Sequence, residues 1–197
     1  MRILVLSDTH GDISRAVNVY KKLIKNGPVD LIIHCGDLYT DAIKIGEITG
    51  ARTAWVKGNC DGSFSDEDCM IVETEYGNIL ITHGHMQNVD FSQQNLYYLA
   101  EEKGCVCALF DHTHRAVSTE AGGIHLMNPG SLTKPRDGSK GTFGLIITDT
   151  EYFKGTIYHY EQFMADGGDN GCGGDSGKKP KVQGGYIRSL LNYSDRF

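Results

Sequence analysis

The stretch from Met1 to Asp37, MRILVLSDTHGDISRAVNVYKKLIKNGPVDLIIHCGD, decides the fold. Arg2 to Ser7 and Val29 to Cys35 are short apolar runs that each end in a polar turn, the pattern of strands buried on both faces. Between them Ile13, Ala16, Val17, Tyr20, Leu23 and Ile24 recur at helical spacing, behind Asp12 as a cap and ahead of Gly27-Pro28 as a stop. This is a β-α-β unit. Ligands bind open α/β sheets at the carboxyl edge of the strands. Here that edge carries Asp8-x-His10 after the first strand and Gly36-Asp37 after the second.

Moving outward, Arg52 to Val56 reads as a third strand and leads into Gly58-Asn59-Cys60-Asp61. Cys69 to Thr74 and Ile79 to Thr82 flank a hairpin turn at Tyr76-Gly77-Asn78, and His83-Gly84-His85 follows directly. Ser92 to Lys103 is helical, with Gly104 beyond its end. Val106 to Phe110 then leads into His112-Thr113-His114, and further strands are expected over Ala116 to Thr119, Ile124 to Met127, Thr142 to Ile147 and Thr156 to Tyr160. The first half winds α/β and the second half is rich in strands.

Composition sets the outer bounds. The 197 residues, 40% hydrophobic and 22% charged, suit one globular domain, expected over residues 1–164. Eight of the 25 glycines fall between Gly167 and Gly185, so residues 165–197 read as a Gly-rich linker and short tail, with one apolar patch at Ile187, Leu190 and Leu191. Nineteen Lys and Arg against 25 Asp and Glu give a net charge of −6, which argues against general nucleic-acid binding. No apolar run reaches the ~20 residues of a membrane span, so a soluble, cytoplasmic protein without a membrane partner is expected. The six cysteines are scattered without a CxxC pair and read mostly as buried, reduced thiols. Composition leaves a homo-oligomer open.

Each polar cluster alone is ordinary, because Asp after a strand often caps a helix and His is often a hydrogen-bonded loop residue. Five such clusters at five strand ends are harder to ascribe to coincidence. They combine carboxylate, imidazole and amide donors suited to divalent first-row metals, and Asp37 can bridge two of them. Two metals ~3.5–4 Å apart would hold a phosphoryl group and lower the pKa of a bridging water, giving hydrolysis by metal-bound hydroxide without a covalent enzyme intermediate.

The order Asp8-x-His10, Gly36-Asp37, Gly58-Asn59-x-Asp61, His83-Gly84-His85 and His112-x-His114 resembles the calcineurin-like metallophosphoesterases. The stretch LVLSDTHGD at Leu4 to Asp12, the GNCD form of the third motif and Asn128-Pro129-Gly130-Ser131 look like the small prokaryotic phosphodiesterases of the YfcE type, whose eukaryotic cousin is a retromer subunit. The resemblance covers residues 1–160 and implies an α/β (α+β) fold: a four-layer αββα sandwich of two mixed β-sheets flanked by helices. It also implies two divalent transition-metal ions, Mn²⁺ favoured, with Ni²⁺, Co²⁺, Fe²⁺ or Zn²⁺ admissible. Asp8, His10 and His114 would hold one, Asn59, His83 and His112 the other, and Asp37 would lie between. A regular strand would point the rings of His112 and His114 to opposite faces, so a turn at Thr113 is required.

Two positions depart from the family pattern. Cys60 stands where larger relatives carry a histidine able to protonate the leaving group, which favours activated phosphodiesters over alkyl monoesters. Asp111 stands where glycine is usual and either orients a ligand imidazole or begins a turn. Asp61, His85, Ser131 and Arg136 are further candidates for supporting the site or touching a small phosphodiester substrate, while His34 reads as a hydrogen-bonded core histidine. The competing functions are a protein-binding scaffold of the retromer type and a nucleotide phosphatase or nuclease.

Overall fold

The computed structural model describes residues 1–62 and 69–165. In chain order the elements are β1 (Arg2–Leu6), α1 (Ser14–Leu23), β2 (Leu31–His34), α2 (Tyr39–Thr49), β3 (Thr53–Trp55), β4 (Cys69–Glu73), β5 (Asn78–Thr82), α3 (Gln94–Glu102), β6 (Cys105–Leu109), β7 (Val117–Ala121), β8 (Ile124–Asn128), β9 (Thr142–Thr148), β10 (Phe153–His159) and α4 (Tyr160–Ala165). They form two five-stranded sheets, ordered β10-β9-β1-β2-β3 and β4-β5-β6-β8-β7. Both are mixed. In the first, β1, β2 and β3 run parallel, β9 pairs antiparallel with β1, and β10 pairs antiparallel with β9. In the second, β5, β6 and β8 are parallel between antiparallel edges β4 and β7.

The alternation of side chains along the central strands explains the layering. Ile3 and Val5 of β1 join Ile79, Ile81, Cys107, Leu109 and Met127 in a core between the sheets. Leu4 and Leu6 point the other way, onto Ala16, Val19 and Leu23 of α1 and Ile45 of α2. On the far side Leu80, Ala108 and Leu126 meet Leu96 and Ala100 of α3. The result is the expected αββα sandwich, with β1 and β2 apolar on both faces because both faces are covered.

Three features differ from expectation. Helix α2 has no counterpart in the sequence reading, since Ile43 and Ile48 are exposed beside buried Ala42 and Ile45 and blur its apolar stripe. Strand β10 begins at Phe153 rather than Thr156, and Tyr160 opens α4 instead of ending the strand. Asp12 does accept the Ser14 N–H (3.0 Å) and hydroxyl (2.6 Å), as a cap should, although the helix starts one residue later than such a cap implies. Of the Gly-rich segment, residues 166–197, including Cys172, lie outside the described residues. No helix among those described is long and apolar enough to cross a membrane.

Candidate metal centre

The five polar clusters follow β1, β2 and β3 of one sheet and β5 and β6 of the other. They meet where the carboxyl edges of the two sheets adjoin. Backbone geometry marks the place: among the described residues seven non-glycine residues have positive φ, and Asp8, His10, Asp37, His112 and His114 are five of them. Each such conformation costs about 1–3 kcal/mol and persists only where its surroundings impose it. The chain bends at His112 and Thr113, as the spacing requires, with His112 and His114 both at positive φ, and both rings reach the same site.

The first group comprises Asp8, His10, Asp37 and His114, whose donor atoms all lie within 4.8 Å of one another. His114 Nε2 is 2.9 Å from Asp8 Oδ1 and 3.5 Å from His10 Nε2. His10 Nε2 is in turn 3.8 Å from Asp8 Oδ1 and from Asp37 Oδ2. The second group centres on Asn59 Oδ1, which lies 3.1 Å from His83 Nε2 and 2.8 Å from His112 Nδ1. His83 Nε2 is also 3.4 Å from Asp37 Oδ1, so the two oxygens of Asp37 face different groups.

Hydrogen-bond partners assign the imidazole tautomers. His114 Nδ1–H donates to the Lys134 carbonyl (2.7 Å), His83 Nδ1–H to the Cys35 carbonyl (2.9 Å) and His112 Nε2–H to Asp90 Oδ2 (2.8 Å). In the neutral rings the other nitrogens then carry lone pairs, and these aim at further acceptors: carboxylate and amide oxygens. Lone pairs facing lone pairs need a cation between them. Donors bound to one ion at ~2.1 Å sit ~3 Å apart when adjacent and ~4.2 Å when opposite, so the observed spacings need little adjustment. The residues fit divalent metal ions.

Charge agrees with this. Asp8 and Asp37 are buried, and a buried carboxylate needs a positive partner. Burial raises the pKa of Asp8, but the hydrogen bond with His114 and the charge of His83 outweigh it and hold Asp8 below the ordinary carboxylate range. Burial lowers the pKa of His114, but the hydrogen bond and charge of Asp8 more than compensate and hold it above the ordinary imidazole value. Asp111, fully buried, is pushed far above the carboxylate range by burial and by the charge of Asp8. Its Oδ1 accepts the His114 N–H (2.8 Å), so Asp111 both begins the turn and braces the ligand loop.

The surrounding residues divide into braces and rim. Buried His34 accepts the Gly36 N–H at Nδ1 (3.3 Å) and donates from Nε2 to Thr9 Oγ1 (3.0 Å), whose hydroxyl donates to Asp41 Oδ2 (2.7 Å). Asp41 also accepts the Gly11 N–H (2.7 Å), so this chain fixes the loop that carries Asp8 and His10. Ser131 donates its hydroxyl to the Asp8 carbonyl (2.8 Å) and is fully buried; it braces that loop rather than offering a donor to substrate. Asp61 ties the Gly58 N–H (2.8 Å) to the Tyr39 N–H (3.0 Å). Cys60 donates its N–H to Asp37 Oδ1 (3.0 Å), and partial burial together with Asp37 pushes its thiol up to about 11. The His85 ring lies 5.3 Å from His83 and 6.1 Å from His112, facing the second group.

Arg136 is exposed and its charge opposes protonation of His114, while exposed Lys134 does the same to His10, whose pKa is lowered by burial and then by that charge. Lys134, Asp90 and Asp41 escaped sequence reasoning, and none of the three stands in a motif; Thr9 lies inside LVLSDTHGD but drew no role of its own.

The cluster Asp8, His10, Asp37 and His114 at the joined edges of an αββα sandwich is a candidate metal site, and the fold around it is that of a known class of protein. The chain belongs to the calcineurin-like phosphoesterase superfamily, whose domain it matches over residues 1–151. It is 33% identical over 164 residues to the probable metallophosphoesterase YsnB of Bacillus subtilis, covering 82% of this chain and 92% of that one. It is 26% identical over 175 residues to the phosphodiesterase YfcE of Escherichia coli, covering 76% and 89%. Among solved structures, a predicted phosphoesterase from Streptococcus pneumoniae superposes with a TM-score of 0.68 at 30% identity, covering 81% of this chain and 90% of that one. Vps29 of Entamoeba histolytica, solved with Zn²⁺, shares the fold at a TM-score of 0.62 and 22% identity, covering 81% and 99%.

Proposed function

We propose that the chain is a dinuclear metal-dependent phosphodiesterase acting on small or activated phosphodiesters. The observation that carries this is the pairing of two lone-pair donor groups through one carboxylate, Asp37 Oδ2 facing His10 and Asp37 Oδ1 facing His83. Asp8, His10 and His114 would hold one cation, Asn59, His83 and His112 the other, with Asp37 shared. Two bound cations supply Lewis-acid neutralisation of a phosphoryl group and acidify water. Four imidazoles, one amide and only two carboxylates favour Mn²⁺, Ni²⁺, Co²⁺, Fe²⁺ or Zn²⁺ over Mg²⁺.

The chain's own residues shape the rest. Asp37 is held by the Cys60 N–H, and the Asp8 loop by Ser131 and by the His34–Thr9–Asp41 chain. Exposed Lys134 and Arg136 put positive charge within electrostatic reach of His10 and His114, and such charge would attract a phosphate. The Cys60 thiol, with its pKa near 11, keeps its proton and is a weak acid beside an imidazolium, so leaving groups that carry their own charge are favoured. A net charge of −6 disfavours long polyanions.

Fold likeness to Vps29 favours a scaffold as the second reading. Rates on an aryl phosphodiester separate the two. Chelated protein should be inactive, Mn²⁺ should restore turnover, and Mg²⁺ should restore less. Equal activity with Mg²⁺ would sink the ligand assignment; no hydrolysis of any small phosphodiester by the Mn²⁺-loaded protein would favour the scaffold.

A further inference from the structure

We propose that Asp90 is a positioning residue for the second cation: it accepts Nε2–H of His112 and so aims Nδ1 of that ring at the group formed by Asn59 and His83. The proposal rests on the dinuclear reading above. Asp90 Oδ2 lies 2.8 Å from His112 Nε2, while the other ring nitrogen lies 2.8 Å from Asn59 Oδ1. An acceptor on one nitrogen fixes the tautomer and rotation of an imidazole and raises the basicity of the other nitrogen.

Local structure holds Asp90 in place although its side chain is half-exposed, at 49%. The Gly84 carbonyl accepts the N–H groups of Gln87 (3.1 Å) and Val89 (3.3 Å), and Asn88 closes the turn at a φ of 55°. Val89 is buried in the core beneath α3. Gly84 permits this, because a Cβ there would stand 2.8 Å from Val89 Cγ2 and 3.1 Å from the Asp111 carbonyl. His83 and Asp111 are joined by a backbone hydrogen bond (3.0 Å), so the segment with Asp90 and the loop with His112 share one support. The His83 and His112 rings meet edge to face at 5.2 Å, leaving Asp90 as the partner on the solvent side.

A half-exposed pair contributes little to stability, so Asp90→Ala should leave thermal unfolding of the metal-free protein unchanged. Its effect belongs to the metal. Mn²⁺ titration followed by calorimetry and electron paramagnetic resonance reads both sites. In wild type two equivalents bind and give the exchange-coupled signal of a pair. In Asp90→Ala the second equivalent should weaken about 10- to 100-fold while the first is unchanged, and an isolated-ion signal should replace the coupled one. Asp90→Asn, which keeps the acceptor, should restore much of the second-site affinity. A wild type that binds one ion overturns the dinuclear reading itself. Two ions at wild-type affinity in Asp90→Ala, or equal loss at both sites, overturns the role of Asp90 alone.

Discussion

Replacing His34 isolates a pH-dependent part of the stability. The ring is fully buried, and burial is the main reason its pKa falls from 6.5 to about 4. Below ~6.5 the unfolded chain takes up a proton there that the folded chain refuses until about 4, so unfolding is favoured and stability is lost on acidification. With 1.36 kcal/mol for each pKa unit, the full effect is about 3 kcal/mol, of which about 2 kcal/mol is spent between roughly pH 7.5 and pH 5. Urea unfolding of chelated wild type and His34→Gln at those two pH values measures it. The variant should start less stable, having lost the link from Gly36 to Thr9, but should lose about 2 kcal/mol less on acidification. Equal losses, within ~0.5 kcal/mol, would refute the burial of a neutral His34.

Three further predictions concern the site. Asp37→Asn should abolish turnover and lower metal content at both positions; elemental analysis showing two metals per chain with near-normal rates would rule out the bridge. Gly58→Ala adds a Cβ that would collide with the side chain and backbone of Asp37. A displacement of ~1 Å is enough to cost about 100-fold in turnover, with an intact circular dichroism spectrum; a few-fold change would mean that Asp37 tolerates being moved. Cys60→Ser should leave aryl diester turnover within a few-fold, whereas Cys60→His should speed poor leaving groups by up to ~10²-fold. Steady-state rates on paired aryl and alkyl substrates decide it, and a large loss in Cys60→Ser with metals still bound would make the thiol catalytic.

The candidate ligands were readable in the sequence because each directly follows a short, unambiguous strand, and strands of that kind end at one rim. His34 was readable as a hydrogen-bonded core residue because a histidine ending a four-residue buried strand must find partners; Gly36 is one, two positions on, while the other, Thr9, comes from 25 positions away. What did not show was anything set by tertiary approach. Asp90 reaches His112 across 22 positions and belongs to no pattern. Lys134 matters through its backbone carbonyl and its proximity to His10, neither of which residue type announces. Helix α2 was hidden because its first residues follow Asp37 and Leu38, both at positive φ, so the usual capping signal is replaced by the ligand turn itself. The partition of ten strands into two sheets came from resemblance, since parallel pairing of β5 with β6 and β6 with β8 leaves no local mark.

The dinuclear centre is tested most directly by anomalous diffraction from a crystal of the full chain equilibrated with Mn²⁺. Two peaks ~3.5–4 Å apart are predicted, one among Asp8, His10 and His114, the other among Asn59, His83 and His112, with Asp37 between them. A single peak, or a pair that leaves Asp37 uncoordinated, would contradict the account.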